Sequence, residues 1–145
     1  MSLTFAIRSS ALPDDARVAA FRGSEGLSRP HVFDIFVTVP GDDDVDLSDG
    51  IGSRVTLTIH GADAPTHFSG VVGALELLRA VKGNSLYKVR LVPLLWQLSL
   101  TRHSRIFTKV SIPDLLKQVL DDEGVTDYEL RLKGTYETEE HVCQY

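Results

Sequence analysis

The sequence is poor in cysteine. Cys143 is the only one among 145 residues, so no internal disulfide can form. A lone thiol fits folding in a reducing cytoplasm. Long apolar runs are missing as well. No stretch reaches the roughly 18 apolar residues of a membrane span, so none is expected. The N-terminus reads Met1-Ser2-Leu3-Thr4-Phe5-Ala6-Ile7-Arg8 and lacks the basic head and apolar run of about 7–15 residues that mark a secretory leader. Export would need a route without a cleaved leader. Positive charge is not in excess: the net charge is −5, which disfavours nucleic acid and anionic lipid as partners.

Chemical signatures are scarce too. The five histidines, His31, His60, His67, His103 and His141, form no HExxH-type pair. His60 and His67 flank the turn at Gly61–Pro65 and could face each other across a hairpin; two surface histidines is the simpler expectation. An EF-hand started at Asp42 fails, with Leu47 where the sharp turn needs glycine and Ser53 where the last ligand must be glutamate. No Gly-x-Ser-x-Gly, glycine-rich phosphate loop or cofactor signature occurs, and Cys143 has only His141 nearby. No cofactor, metal or catalytic residue is expected, and the chain reads as a non-enzyme.

What is present is alternation. The length suits one domain with a real core, and 43% hydrophobic with 24% charged residues is ordinary for a globular protein. Leu3–Ser9, Val18–Gly23, His31–Val39, Arg54–His60, Thr66–Arg79, Leu86–Leu94 and Tyr128–Leu132 predict strands. Phe33, Ile35, Val37 and Val39 share one face of the third; its other face is mixed, a pattern that suits cover on both sides. Val55, Leu57 and Ile59 point inward from the fourth. Gly70 and Gly73 predict a bend or bulge in the long fifth. Ala11–Arg17 and Ala62–Pro65 read as turns, Ser24–Pro30 as a connection, Gly41–Gly50 as an acidic solvated loop, and Lys82–Ser85 as a hairpin loop. The apolar segment Leu94–Leu100 has no assignable period, and Trp96 within it is expected in the core. One helix, about 112–123, is expected: Ser111 caps it, Pro113 and Asp114 suit its first turn, and Gly124 stops it. Ile112, Leu115, Leu116, Val119 and Leu120 form its half-buried stripe. The fold class is mainly β, a barrel or sandwich of about seven or eight strands with one helix.

Charge is unevenly distributed. No acidic residue lies between Leu77 and Pro113, a stretch that holds Arg79, Lys82, Lys88, Arg90, Arg102, Arg105 and Lys109. The simpler expectation is pairing with acids elsewhere in the fold. The sharper one is an electropositive face that meets an acidic partner, and these seven residues are the candidate interface. Arg105 is expected either as an interface anchor or as a partner of Asp114.

Several segments, in order, resemble one family. Phe21-Arg22-Gly23-Ser24-Glu25-Gly26-Leu27-Ser28-Arg29-Pro30 followed by Phe33 is similar to the opening signature of VgrG proteins of type VI secretion. Phe68-Ser69-Gly70-Val71-Val72, Tyr87 through Pro93-Leu94-Leu95-Trp96-Gln97-Leu98, Ser104-Arg105-Ile106-Phe107 and Cys143-Gln144-Tyr145 continue the likeness, which covers almost the whole chain. His31 departs from it, standing where many members have an aromatic residue. The resemblance implies the barrel-like tail-tube or hub domain of a contractile injection machine, with residues 1–145 an N-terminal hub part truncated after Tyr145. It implies a trimer in the full-length protein and adaptation of a hexameric tube ring to the spike needle. It also implies contacts of missing C-terminal regions with a spike-tip protein or effectors. Such a protein is assembled in the bacterial cytoplasm and exported by the machine, outside or into a target cell. A phage tail or extracellular injection particle hub is the near alternative. A small metal- or carbohydrate-binding barrel, or a hydrolytic effector, is the alternative of another class; the effector predicts paired acids in a cleft, and the barrel predicts stabilisation by divalent cations.

Overall fold

The computed structural model describes residues 3–41 and 45–144. Contacts divide the chain into two compact units, Met1–Leu94 and Leu95–Tyr145, although its length alone suits one domain. Among the described residues there are eight strands, two α-helices and a 3-10 turn at Leu94–Ser99. The expected strand count holds, and the expected single helix becomes two.

The first unit is one antiparallel sheet. Its strands are β1 (Thr4–Ser9), β2 (Arg17–Gly26), β3 (Arg29–Pro40), β4 (Arg54–His60), β5 (Thr66–Val81) and β6 (Asn84–Val92), ordered β1-β4-β5-β6-β3-β2. Period-two alternation decides which face is buried. Phe33, Ile35, Val37 and Val39 of β3 join Val55 and Leu57 of β4 and Tyr87, Val89 and Leu91 of β6 in one core, most of them without solvent contact. The sheet curls into a half-barrel around this core, so that Phe5 of β1 meets Phe21 of β2 edge-on at 5.1 Å although the two strands are the sheet's ends.

Two glycines permit the curl by having no side chain. A Cβ at Gly70 would collide with the Val92 carbonyl, where the end of β6 passes over β5. A Cβ at Gly23 would enter the Phe33 ring, which occupies the inward position opposite it. The β5–β6 register shifts between Val72 and Ala74, a bulge at Gly73 of the kind the sequence predicts, and again between Leu77 and Arg79.

The segments read as loops are more ordered than expected. Ser24–Gly26 and Arg29–Pro30 continue β2 and β3, leaving a tight turn at Leu27 and Ser28, with Ser28 at φ 57. In Gly41–Gly50, residues 42–44 lie outside the described residues, and Leu47–Gly50 forms the short helix α1. Asp46 caps it, accepting from the Ser48 and Asp49 backbone N–H groups at 2.9 and 3.1 Å. Aspartate density suggests a solvated loop, but a capping aspartate is also a helix-start signal.

The second unit pairs β7 (Arg105–Ser111) with β8 (Thr138–Gln144) in a two-stranded sheet. Between them lies α2 (Ile112–Asp122). Ser111 caps α2 as expected, accepting from the Asp114 N–H at 3.3 Å, and Gly124 at φ +72 ends it. The apolar stripe is only partly covered: Leu115, Val119 and Leu120 are half-buried, whereas Ile112 and Leu116 are 42% and 44% exposed. Tyr128–Leu132 is not a strand. Alternation there finds no ladder partner among the described residues, and local side-chain bonds form instead, Arg131 to Glu129 at 2.8 Å and Tyr128 to Asp121 at 3.5 Å.

Candidate assembly surface

In an antiparallel ladder, residues directly opposite each other project to the same side. With Phe33, Ile35 and Val37 inward, the outward side of the first unit carries three cross-strand rows. The first is Arg22–Asp34–Arg90–Ala74, the second Ala20–Phe36–Lys88–Glu76, and the third Arg17–Thr38–Leu86–Arg79. The face thus gathers Arg17, Arg22, Arg79, Lys88 and Arg90 against only two acids, Asp34 and Glu76.

Asp34 sits in the middle of the first row and is the one buried charged residue among the described residues. Arg90 Nε donates to Oδ1 at 2.8 Å, and Arg22 Nη2 donates to Oδ2 at 3.1 Å. The Arg90 bond is the largest influence on this carboxyl and holds it below the usual carboxylate range; Arg22 adds to that, while burial works against both. A buried carboxylate needs such partners, because an unpaired charge out of water is costly. One row over, Lys88 Nζ meets Glu76 Oε1 at 2.8 Å.

The seven sequence-predicted cations therefore divide. Arg79, Lys88 and Arg90 share the outward face, and Lys82 is exposed in the β5–β6 turn beside it. Lys88 and Arg90 are paired within the fold, whereas Arg79 and Lys82 have no ion pair among the described residues. Arg102, Arg105 and Lys109 belong to the second unit. Arg105 bonds Asp122 at 2.8 Å and approaches Glu123 at 3.8 Å, at the end of α2 rather than at Asp114, which takes Ser111 and Lys117. A cation there also suits the negative end of the helix dipole. Arg102 and Lys109 are exposed, and Lys109 adopts φ 52 within β7.

Arg17 and Arg22 were outside the sequence-predicted set. Only register brings them in, because β2 is far from the acid-free stretch in sequence. A shallow groove of about 310 Å³ opens where the third row meets the turn, lined by Thr38, Arg79, Val81, Asn84, Ser85 and Leu86.

The signature Phe21–Phe33 proves to be a hairpin that builds an aromatic cluster. Phe33 packs on Phe68 at 4.4 Å and on Phe21 at 6.2 Å. His31 takes an aromatic's place, 5.9 Å from Phe33 and 6.1 Å from Phe68. Its Nε2 is buried with no hydrogen-bond partner among the described residues. Desolvation lowers its pKa from 6.5, opposed by the Glu25 charge. His67 bonds Thr58 Oγ1 at 3.0 Å, its opposite neighbour, and does not pair with His60. No group of three or more His, Cys, Asp or Glu that could hold a metal occurs among the described residues. Trp96 is half-buried in the 3-10 turn.

The sequence profile of the phage tail baseplate hub family (GPD) matches residues 24–145. The chain is 32% identical over 124 residues to the type VI secretion system spike protein VgrG1b of Pseudomonas aeruginosa, covering 85% of this chain and 17% of that protein. It is 30% identical over 144 residues to VgrG5 of the same bacterium, covering 97% and 18%. A further relative, 39% identical over 76 residues, is the actin cross-linking toxin VgrG1 of Vibrio cholerae, covering 52% of this chain and 7% of the toxin. The chain spans less than a fifth of the length of these relatives. Among solved structures, the E. coli c3393 protein superposes with a TM-score of 0.78 at 22% identity, over 97% of this chain and 39% of that one. It is described as a component of the type VI secretion system with structural similarity to the T4 bacteriophage tail proteins gp27 and gp5. At that identity the likeness speaks for the fold, while the profile match speaks for descent. The chain belongs to the phage tail baseplate hub family, and its sequence is of the kind that type VI secretion spike proteins carry.

Proposed function

We propose that this chain is a structural module of a contractile injection machine, a hub part of a type VI secretion spike. In this reading the hub self-associates as a trimer, seats on a hexameric tube ring and leaves the cell with the machine. It does no chemistry of its own. The observation that carries the reading is the hub-family match over residues 24–145. The cation-rich outward face supplies a physical means of docking, because complementary charge steers and orients a partner surface.

The test is to mix the hub-bearing protein with the tube ring protein of its own system and follow complex formation by sedimentation. The expected result is a complex that weakens roughly tenfold between about 50 and 500 mM salt, since exposed charges are screened. Absence of any complex at low salt would overturn the tube-docking reading. A complex indifferent to salt would remove the cationic face from it. The hub of a phage tail or of an extracellular injection particle would behave alike in this assay.

A further inference from the structure

The tip of the β2–β3 hairpin holds an imidazole in a place that suits only its neutral form. His31 is half-buried between Phe33 and Phe68, and its Nε2 is out of water with no hydrogen-bond partner among the described residues. A neutral ring can leave one nitrogen unpaired. A protonated ring carries a charge and an N–H donor at both nitrogens, and neither phenylalanine can accept from it.

A second place for the ring lies beside the first. A groove of about 590 Å³ opens at the tip, lined by Glu25, Gly26, Leu27, Arg29 and His31 itself. Glu25 stands across the ladder from His31, where the register shifts between Ser24 and Gly26. It acts on the ring through its charge alone, without a hydrogen bond. The other groups around the ring are few. Arg29 lines the groove from β3, and β5 presents Phe68. His67, next to Phe68, bonds Thr58 on the opposite side of the sheet. The turn beyond is held under strain: Leu27 is fully exposed and Ser28 takes φ 57, a conformation that costs any residue with a side chain.

We propose that the hairpin tip is an acid-released latch, in which protonation turns the His31 ring out of the Phe33–Phe68 cluster into the groove, where it pairs with Glu25 and lets the tip from Ser24 to Val32 loosen. Burial lowers the pKa of the ring from 6.5 in the closed form, and the Glu25 charge opposes this. The closed form is therefore the form at neutral pH, and the open form gains as pH falls below 6.5. Leu27 rides on the tip, so acid changes how this exposed apolar side chain is presented. The latch concerns the hairpin alone and does not depend on the docking proposed above.

The test follows the whole chain by NMR between about pH 7.5 and 5, reading the His31 ring and amide exchange relative to intrinsic rates. As the ring titrates, with a midpoint below 6.5, amides across the Ser24–Val32 and Gly26–Arg29 pairs should lose protection at least about tenfold, while those of β6 keep theirs. His31→Phe should keep the tip closed throughout. Glu25→Gln should lower the midpoint by about 0.3 of a pH unit, the size of an exposed charge's influence. Tip amides that stay protected while His31 titrates, or that open equally in His31→Phe, overturn the latch. Loss of β6 protection at the same pH marks global unfolding and overturns it too. A midpoint unchanged in Glu25→Gln overturns the pairing with Glu25.

Discussion

The two units of this chain bury their apolar residues very differently. In the first, Ile35, Val37, Leu57, Val89 and Leu91 have no solvent contact, and the four central strands β4, β5, β6 and β3 all contribute to one core. In the second, Phe107, Pro113 and Val125 are the buried residues among those described, while Ile106 is 72% exposed and Leu100, Leu132 and Tyr136 lie at the surface as well. Burial of apolar surface is the main favourable term in folding. The first unit therefore has a closed core of its own, and the second leaves more of its apolar surface exposed.

The contrast can be broken at its strongest point by Gly70→Ala. The new methyl group would meet a backbone carbonyl that cannot swing aside, so about 3 kcal/mol or more of stability should be lost. A melting temperature unchanged from the parent would contradict the close approach of Val92. Leu57→Ala removes a fully buried side chain and should cost about 3 kcal/mol in denaturant unfolding. Its counterpart Ile106→Ala should cost less than about 0.5 kcal/mol in the same assay. Equal costs would mean that the second unit has a core comparable to the first.

Two substitutions sharpen the electrostatics of the first unit. Asp34→Asn keeps the shape but removes the charge between Arg22 and Arg90. Those arginines are 73% and 42% exposed in their side chains, so solvent screening limits the loss to about 1 kcal/mol. The sign follows from the depressed carboxyl. Its contribution is present above the unfolded value of about 3.8 and is lost as pH falls through the lower folded value. The variant should therefore match the parent in strong acid and trail it near neutrality, as followed by melting across pH. His31→Phe should act oppositely, stabilising by about 1 kcal/mol, because it relieves an unpaired buried nitrogen inside an aromatic cluster. His31 has a lowered folded pKa, so its neutral form fits the fold and stability declines as pH falls below 6.5. The phenylalanine variant should lose that part of the acid sensitivity, and an unchanged pH profile would show that His31 does not contribute to it.

How much of this was legible in the sequence depends on burial. β3, β4 and β6 stand out because one face of each is buried, which forces apolar residues to every second position. β7 and β8 do not: Arg-Ile-Phe-Thr-Lys-Val-Ser and Thr-Glu-Glu-His-Val-Cys-Gln have little buried surface on either face and so no alternation to read. Tyr128–Leu132 alternates without a ladder partner among the described residues, a reminder that a strand is defined by its neighbour. α2 was legible from Ser111, Pro113 and Gly124, whereas α1 was hidden because four residues are too few for a periodic pattern. On the outward face, the acid-free window holds Arg79, Lys88 and Arg90 but not Arg17 and Arg22, which the register sets beside them, and it also holds Arg105, which is engaged at the end of α2. Counting charge along the chain cannot see which strands the register sets side by side.

Hydrogen exchange on the dilute chain tests the central contrast most directly, because it reports opening free energies element by element. The expected result is amides of β3, β4 and β6 exchanging only by global unfolding, with those of β7 and β8 at least about a hundredfold faster. Protection of β7 and β8 equal to that of β3 would contradict the contrast in burial between the two units.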